Sequence, residues 1–129
     1  MSLTFREATE ADIPEIVALL RDDVLGAGRQ PDMPAGYARA FALIRDDPTT
    51  ALIVGHQDAR VVATYQLDIL HSLSRGGMTR AQIEAVRVAS ELRGQGEGGA
   101  LFEDARKRAV AAGASLLQLT SDRSRQEAH

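Results

Sequence analysis

Cysteine is absent from the 129 residues, so the chain carries no disulfide framework, no thiolate nucleophile and no cysteine-based zinc site. That fits a reducing compartment. An excess of charge is missing as well: 15 Lys and Arg against 18 Asp and Glu leave a formal net charge of −3, which gives no support for a nucleic-acid or anionic-membrane partner. No apolar run approaches the roughly 20 residues that span a bilayer. The opening Met1-Ser2-Leu3-Thr4-Phe5-Arg6 lacks the basic start and apolar core of a secretory signal, so the expected location is the cytoplasm. There is no internal repeat and no low-complexity tract. His56, His71 and His129 are scattered, with no i, i+4 pair, and no metal is expected. What is present, 44% hydrophobic and 26% charged residues, describes an ordinary globular protein. The length suits one domain over residues 1–129, large enough to bury most of its apolar surface.

Residues 3–6 alternate and read as a short strand. Thr9 with Asp12 three residues on is a relative of the capping box, and Ile13, Ile16, Val17, Leu20 and Val24 then share one helical face. Gly26-Ala27-Gly28 breaks that helix and Pro31 and Pro34 bracket a loop. Tyr37, Phe41 and Ile44 predict a second helix ending near Asp46-Asp47-Pro48. Residues 51–55 and 61–70 are rich in β-branched and aliphatic side chains and flank the polar link His56-Gln57-Asp58-Ala59-Arg60, which predicts an antiparallel hairpin. A loop over 72–80 with a Gly76-Gly77 hinge leads to a strand at 82–88, a glycine run, and a helix over 98–112. Gly113 stands where a left-handed helix cap belongs, and 115–120 reads as a last strand, parallel to its neighbour because a helix intervenes.

The segment Arg93-Gly94-Gln95-Gly96-Glu97-Gly98-Gly99 is the most informative part of the chain. Closely spaced glycines let a ligand approach the backbone, and the first-turn amides of a helix have no internal partners, so a strand–glycine–helix unit is suited to an anion such as a pyrophosphate. A P-loop is excluded, because no lysine followed by Ser or Thr comes after the glycines. Gly94, Gly96 and Gly99 satisfy the dinucleotide pattern G-x-G-x-x-G, with Asp122 near the place of a ribose-binding acid. Context counts against that reading, since an antiparallel meander precedes the unit and only about 30 residues follow it.

Arg93-Gly94-Gln95-Gly96-Glu97-Gly98 resembles the R/Q-x-x-G-x-G/A acetyl-CoA loop of the GNAT family of N-acetyltransferases, with Gly98-Gly99-Ala100-Leu101 opening the helix. The likeness extends through Ile83-Glu84-Ala85-Val86-Arg87-Val88 and Leu117-Gln118-Leu119-Thr120-Ser121, and the order of elements matches. It implies a mixed α/β fold: a three-layer αβα sandwich of the acyl-CoA N-acyltransferase type, with a mostly antiparallel central sheet. It implies that the pyrophosphate of acetyl-CoA lies on the amides of Arg93, Gly94, Gln95, Gly96, Glu97, Gly98 and Gly99, and that the pantetheine arm pairs with Val86 and Val88. An acid at the place of Glu84 often serves the family as general base. The Val88 amide is the candidate for polarising the thioester carbonyl, and the amine attacks directly with no covalent enzyme intermediate.

Period-two alternation would put Glu84, Val86 and Val88 on one face and Ile83, Ala85 and Arg87 on the other, leaving Glu84 in a partly apolar row where desolvation raises its pKa. An exposed Glu84 paired with an arginine is the competing reading. Glu97 stands where the family usually has an aliphatic residue. Either it faces solvent, or its charge weakens coenzyme binding. Asp22, Asp23, Arg29, Gln30, Met33 and Tyr37 belong to the region that shapes the family's acceptor pocket, and Ser121 and Asp122 could line the site or cap a following helix. Arg125-Gln126-Glu127-Ala128-His129 resembles the start of a final helix that in the family leads to a Phe-Tyr pair and two further strands. The tyrosine is the family's usual acid for the departing thiolate. The expectation is a truncated product, or a sheet completed by a partner in a homodimer, through strand exchange. The implied function is acetyl transfer from acetyl-CoA to a primary amine of a small molecule or peptide. The alternative is an inactive fold that binds coenzyme A or acts through an interface.

Overall fold

The computed structural model describes residues 3–21, 34–92 and 94–120. Its first strand, β1 (Thr4–Glu7), runs into a 3-10 turn (Glu10–Asp12) and helix α1 (Ile13–Arg21). Asp12 organises this start: its carboxylate accepts the Thr9 amide at 2.7 Å and both guanidinium nitrogens of Arg6 at 2.7 and 3.0 Å. The Arg6 hydrogen bond, working against burial, holds the Asp12 carboxyl down at about 2. Helix α2 (Pro34–Arg45) ends at Asp47, which caps the following turn by accepting from Thr49 and Thr50. Strands β2 (Thr50–Gln57) and β3 (Arg60–His71) form the hairpin. Its link is only Asp58-Ala59, with Asp58 left-handed, so His56 belongs to a strand and not to the turn expected for it. The expected loop is a tight turn over Ser74–Gly77 (α3), with Arg75, Gly76 and Gly77 left-handed at φ +53°, +75° and +85°, and β4 (Thr79–Val88) begins directly after it. A 3-10 turn (Ser90–Leu92), helix α4 (Glu97–Ala111) and strand β5 (Leu116–Leu119) complete the described chain. Gly113 takes the left-handed cap position foreseen for it, φ +83°.

The five strands lie in the order β1-β2-β3-β4-β5, antiparallel except for the last pair. Each sheet face has its own core. On one side Val54, Val61, Val62 and Ala89 pack with Ile16 and Leu19 of α1; on the other, Ile53, Tyr65, Leu67, Ala81 and Ile83 pack with Leu101, Ala105 and Ala109 of α4. The result is the expected three-layer α/β/α arrangement with a mixed sheet. Tyr65 is fully buried, and its hydroxyl is satisfied by donating to Asp104 at 2.6 Å, with Arg108 bonded to the same carboxylate at 2.8 Å. Phe5 lies so close over Gly55 that a Cβ there would sit 2.7 Å from its ring, so this crossing of β1 and β2 requires glycine.

Candidate functional site

The site forms where β4 leaves the sheet. Toward β3, its register runs from His71↔Thr79 to Gln66↔Glu84, slips by one residue, and resumes at Thr64↔Arg87 and Ala63↔Val88. The extra residue is at Ala85, held at φ +55°, the left-handed first position of a β-bulge. A non-glycine residue there is strained, at a cost of about 1 kcal/mol. The bulge corrects the simple alternation read from the sequence. Glu84 shares its face with Gln66 and Arg87, on the α1–α2 side, whereas Val86 and Val88 pack on the opposite face with the α4 core. One inserted residue turns the following side chains over, so the carboxyl and the two valines do not line one row.

On its other edge β4 pairs with β5 only over Arg80 to Ile83, and the Thr120 amide donating to the Ile83 carbonyl at 2.8 Å is the last rung. Past that point, residues 84–88 face no strand among the described residues. The Val86 carbonyl accepts from Arg87 at 2.9 Å, and Val88 keeps an interaction beyond its strand pairing. The open edge is therefore a strand-length strip of backbone beside the start of α4.

Gly94 and Gly96 stand at φ +83° and +91°, so the chain turns twice through conformations that suit glycine before α4 begins at Glu97. A Cβ built on Gly94, Gly96, Gly98 or Gly99 would meet no atom within 4 Å. Packing within the chain thus calls for none of these four glycines, although the left-handed backbone at Gly94 and Gly96 does favour glycine there. The first helical bond is Ala100 N–H to the Gly96 carbonyl at 3.2 Å, and the amides of Gly98 and Gly99 find no acceptor among the described residues. Gln95 is tied back, its amide to Leu92 at 3.2 Å and its side chain to the Glu91 carbonyl at 3.0 Å. Glu97 is half-buried: its Oε1 is shielded from solvent and has no hydrogen-bond partner among the described residues. Arg93, Ser121, Asp122, the loop residues Asp22, Asp23, Arg29, Gln30 and Met33, and His129 with the rest of 121–129 lie outside the described residues.

The chemistry sequence reasoning missed is Asp68. It stands diagonally from Glu84 across the β3–β4 ladder, accepts from Gln66 Nε2 at 3.0 Å, and hydrogen-bonds Glu84. That bond, then burial, then the repulsion of a second carboxylate push the Glu84 carboxyl up to about 7. The arginine partner considered for Glu84 is thus replaced by an acid. The available signal was Asp68 itself, an acid in the otherwise apolar second half of β3, with no partner visible until the register was known. Beside this pair lies a half-open cavity of about 140 Å³ between α1, α2 and the sheet, with Gln66 and Ala85 in its wall. Among the described residues no group of three His, Asp or Glu side chains is placed to hold a metal.

A family model described as "Acetyltransferase (GNAT) family" matches residues 13–129. A crystal structure described as a transcriptional regulator from Bacillus halodurans C-125 is 41% identical, covering 98% of this chain and 87% of that one, with a TM-score of 0.90. An acetyltransferase from Trypanosoma brucei is 26% identical over 95% of this chain and 85% of its own, TM-score 0.76. The glucosamine-6-phosphate N-acetyltransferase of Arabidopsis thaliana shares the fold at 20% identity, TM-score 0.79, over 96% of this chain and 85% of that one. No curated protein sequence matches the chain.

Proposed function

The chain belongs to the GNAT acetyltransferase family, and on that premise we propose that it is a single-domain enzyme moving an acetyl group from acetyl-CoA to the primary amine of a small molecule or peptide. The observation that carries the reading is the joining of three features at one end of β4: an open strand edge, bare amides at the start of a fifteen-residue helix, and a proton-accepting acid. Acetyl-CoA supplies an activated acetyl thioester. The amides of Gly94, Gly96, Glu97, Gly98 and Gly99, with the Arg93 side chain, receive its pyrophosphate, helped by the positive end of α4, while Gln95 is held back by Leu92. The edge at Val86 and Val88 takes the pantetheine arm as a strand would be taken. The Val88 amide polarises the thioester carbonyl.

Glu84 removes the proton that makes an amine inert. An ammonium nitrogen has no free electron pair; once Glu84 takes a proton, directly or through one water, the pair attacks the carbonyl carbon, the C–S bond breaks, and the thiolate leaves to be protonated by solvent. A carboxyl titrating near 7 is matched to this task, because it is ionised in about half the molecules at neutral pH yet basic enough to accept a proton. Asp68 is a positioning residue that keeps the Glu84 carboxyl basic.

The unpaired edge of β5 and the 58% exposure of Leu119, both among the described residues, support a homodimer. Light scattering tests it; a monomer at micromolar concentration refutes it. No helix among the described residues is long and apolar enough to cross a membrane. The net charge of −3 offers no electrostatic footprint for nucleic acid. Thiol release from acetyl-CoA over an amine panel tests the activity, with Glu84→Gln as the comparison. Turnover that falls at least 100-fold in the variant supports the assignment. Coenzyme binding without turnover in the wild type would support a binding module instead.

A further inference from the structure

We propose that the amine this protein acetylates carries a compact apolar group, about the size of a benzene ring, seated in the cavity between α1, α2 and the sheet, with its ammonium against the Glu84 and Asp68 carboxyls. The inference rests on the acetyltransferase reading and adds the acceptor class to it.

Among the described residues the cavity wall is mostly hydrocarbon, with Ile16, Val17 and Leu20 from α1, Phe41 and Ile44 from α2, and Leu52 from β2, while Tyr37 of α2 adds a phenol. Its two polar sheet residues each spend a donor inside the chain, Thr64 Oγ1 on the Ile53 carbonyl at 2.9 Å and Gln66 Nε2 on Asp68 at 3.0 Å. So few polar groups in a largely hydrocarbon wall cannot pair all the hydroxyls of a sugar, and burying hydroxyls unpaired is costly. The volume, about 140 Å³, is close to the roughly 150 Å³ that suffices for benzene in a dry apolar cavity.

Charge completes the fit. Gln66 stands directly across the ladder from Glu84 and also lines the cavity, as does Ala85, the next residue along β4. The acid pair is thus one residue away from the hydrocarbon wall. A cation placed there relieves the repulsion between two close carboxyls, whereas an anionic or neutral head group does not. Pairing with Gln66 puts Glu84 on the cavity side, and the Ala85 bulge then turns Val86 and Val88 to the other face.

The test is steady-state acetylation by the full chain of benzylamine, ethanolamine and glucosamine, with acetyl-CoA affinity measured separately by calorimetry. The expected kcat/KM for benzylamine exceeds that for either polar amine by at least about 30-fold, the scale on which a hydrophobic pocket discriminates. Ala40→Leu and Val17→Phe, which fill the cavity from two sides, should each lower the benzylamine-to-ethanolamine ratio at least tenfold; Ala40 is exposed, so that variant folds even if the other does not. Equal or better use of a polar amine by a protein that binds and consumes acetyl-CoA overturns the acceptor class and leaves the acetyltransferase reading standing. An unchanged ratio in a folded Ala40→Leu protein also overturns it. Failure to bind acetyl-CoA overturns the acetyltransferase reading, and the acceptor with it.

Discussion

Replacing Glu84 by glutamine should stabilise the protein at high pH and do almost nothing at low pH. The folded state raises the Glu84 carboxyl from 4.5 to about 7. For a carboxyl raised on folding, stability is fully present below the unfolded value and is lost as pH rises through the folded one. Moving a midpoint that far corresponds to at most about 3–4 kcal/mol at 1.36 kcal/mol per pH unit. Solvent reaches this partly exposed pair, which reduces the expected penalty to about 1–2 kcal/mol. Glutamine keeps the shape, can donate to Asp68, and carries no charge. Urea or thermal unfolding of both proteins at pH 4.5 and 8.5 reads the effect, and titrating groups away from the Glu84–Asp68 pair cancel in the difference. At pH 8.5 the variant should melt about 4–8 °C above the wild type; at pH 4.5 the curves should nearly coincide. A gap independent of pH, or a wild type that is the more stable at pH 8.5, would refute the acid-pair argument.

Four further outcomes follow from the same geometry. Asp68→Asn removes the neighbour that keeps Glu84 basic, so the acidic limb of the kcat/KM profile should move from about 7 toward the ordinary 4.5, and an unmoved limb would show that another group titrates. Asp12→Ala loses a helix-start bond and leaves Arg6 unpaired there; urea unfolding should show a loss of about 2 kcal/mol at pH 7. The wild type's share of that stability is present above pH 3.8 and disappears as pH falls through about 2, because the Asp12 carboxyl is depressed on folding. Glu97→Ala removes a buried, unpartnered carboxylate oxygen from the first turn of α4, so acetyl-CoA should bind several-fold more tightly by calorimetry, with no loss of melting temperature.

Much of the layout was legible in the sequence because it is local. Apolar periodicity set α1 and α2, β-branched runs set the hairpin, and Gly113 announced the end of α4. The glycines at 94, 96, 98 and 99 pointed to a ligand from sequence, and the structure adds that none of them is needed for packing. What stayed hidden depends on register. Alternation along β4 cannot foresee that Ala85 adopts a left-handed conformation, yet that residue decides that Val86 and Val88 turn to the face opposite Glu84. Asp68 and Glu84 are sixteen positions apart and meet only through the β3–β4 ladder, so no spacing rule pairs them. The two outcomes held open for Glu97 also needed coordinates, since its carboxylate oxygen turns inward.

The central claim is that the start of α4 holds the pyrophosphate of acetyl-CoA, and Gly98→Val tests it most directly. Position 98 has helical geometry and empty space around it, so the substitution should leave melting within about 2 °C of the wild type. Calorimetric titration with acetyl-CoA should then give saturable 1:1 binding to the wild type and at least tenfold weaker binding to the variant. Equal affinities in two folded proteins, or no heat from the wild type at millimolar coenzyme, would contradict the account.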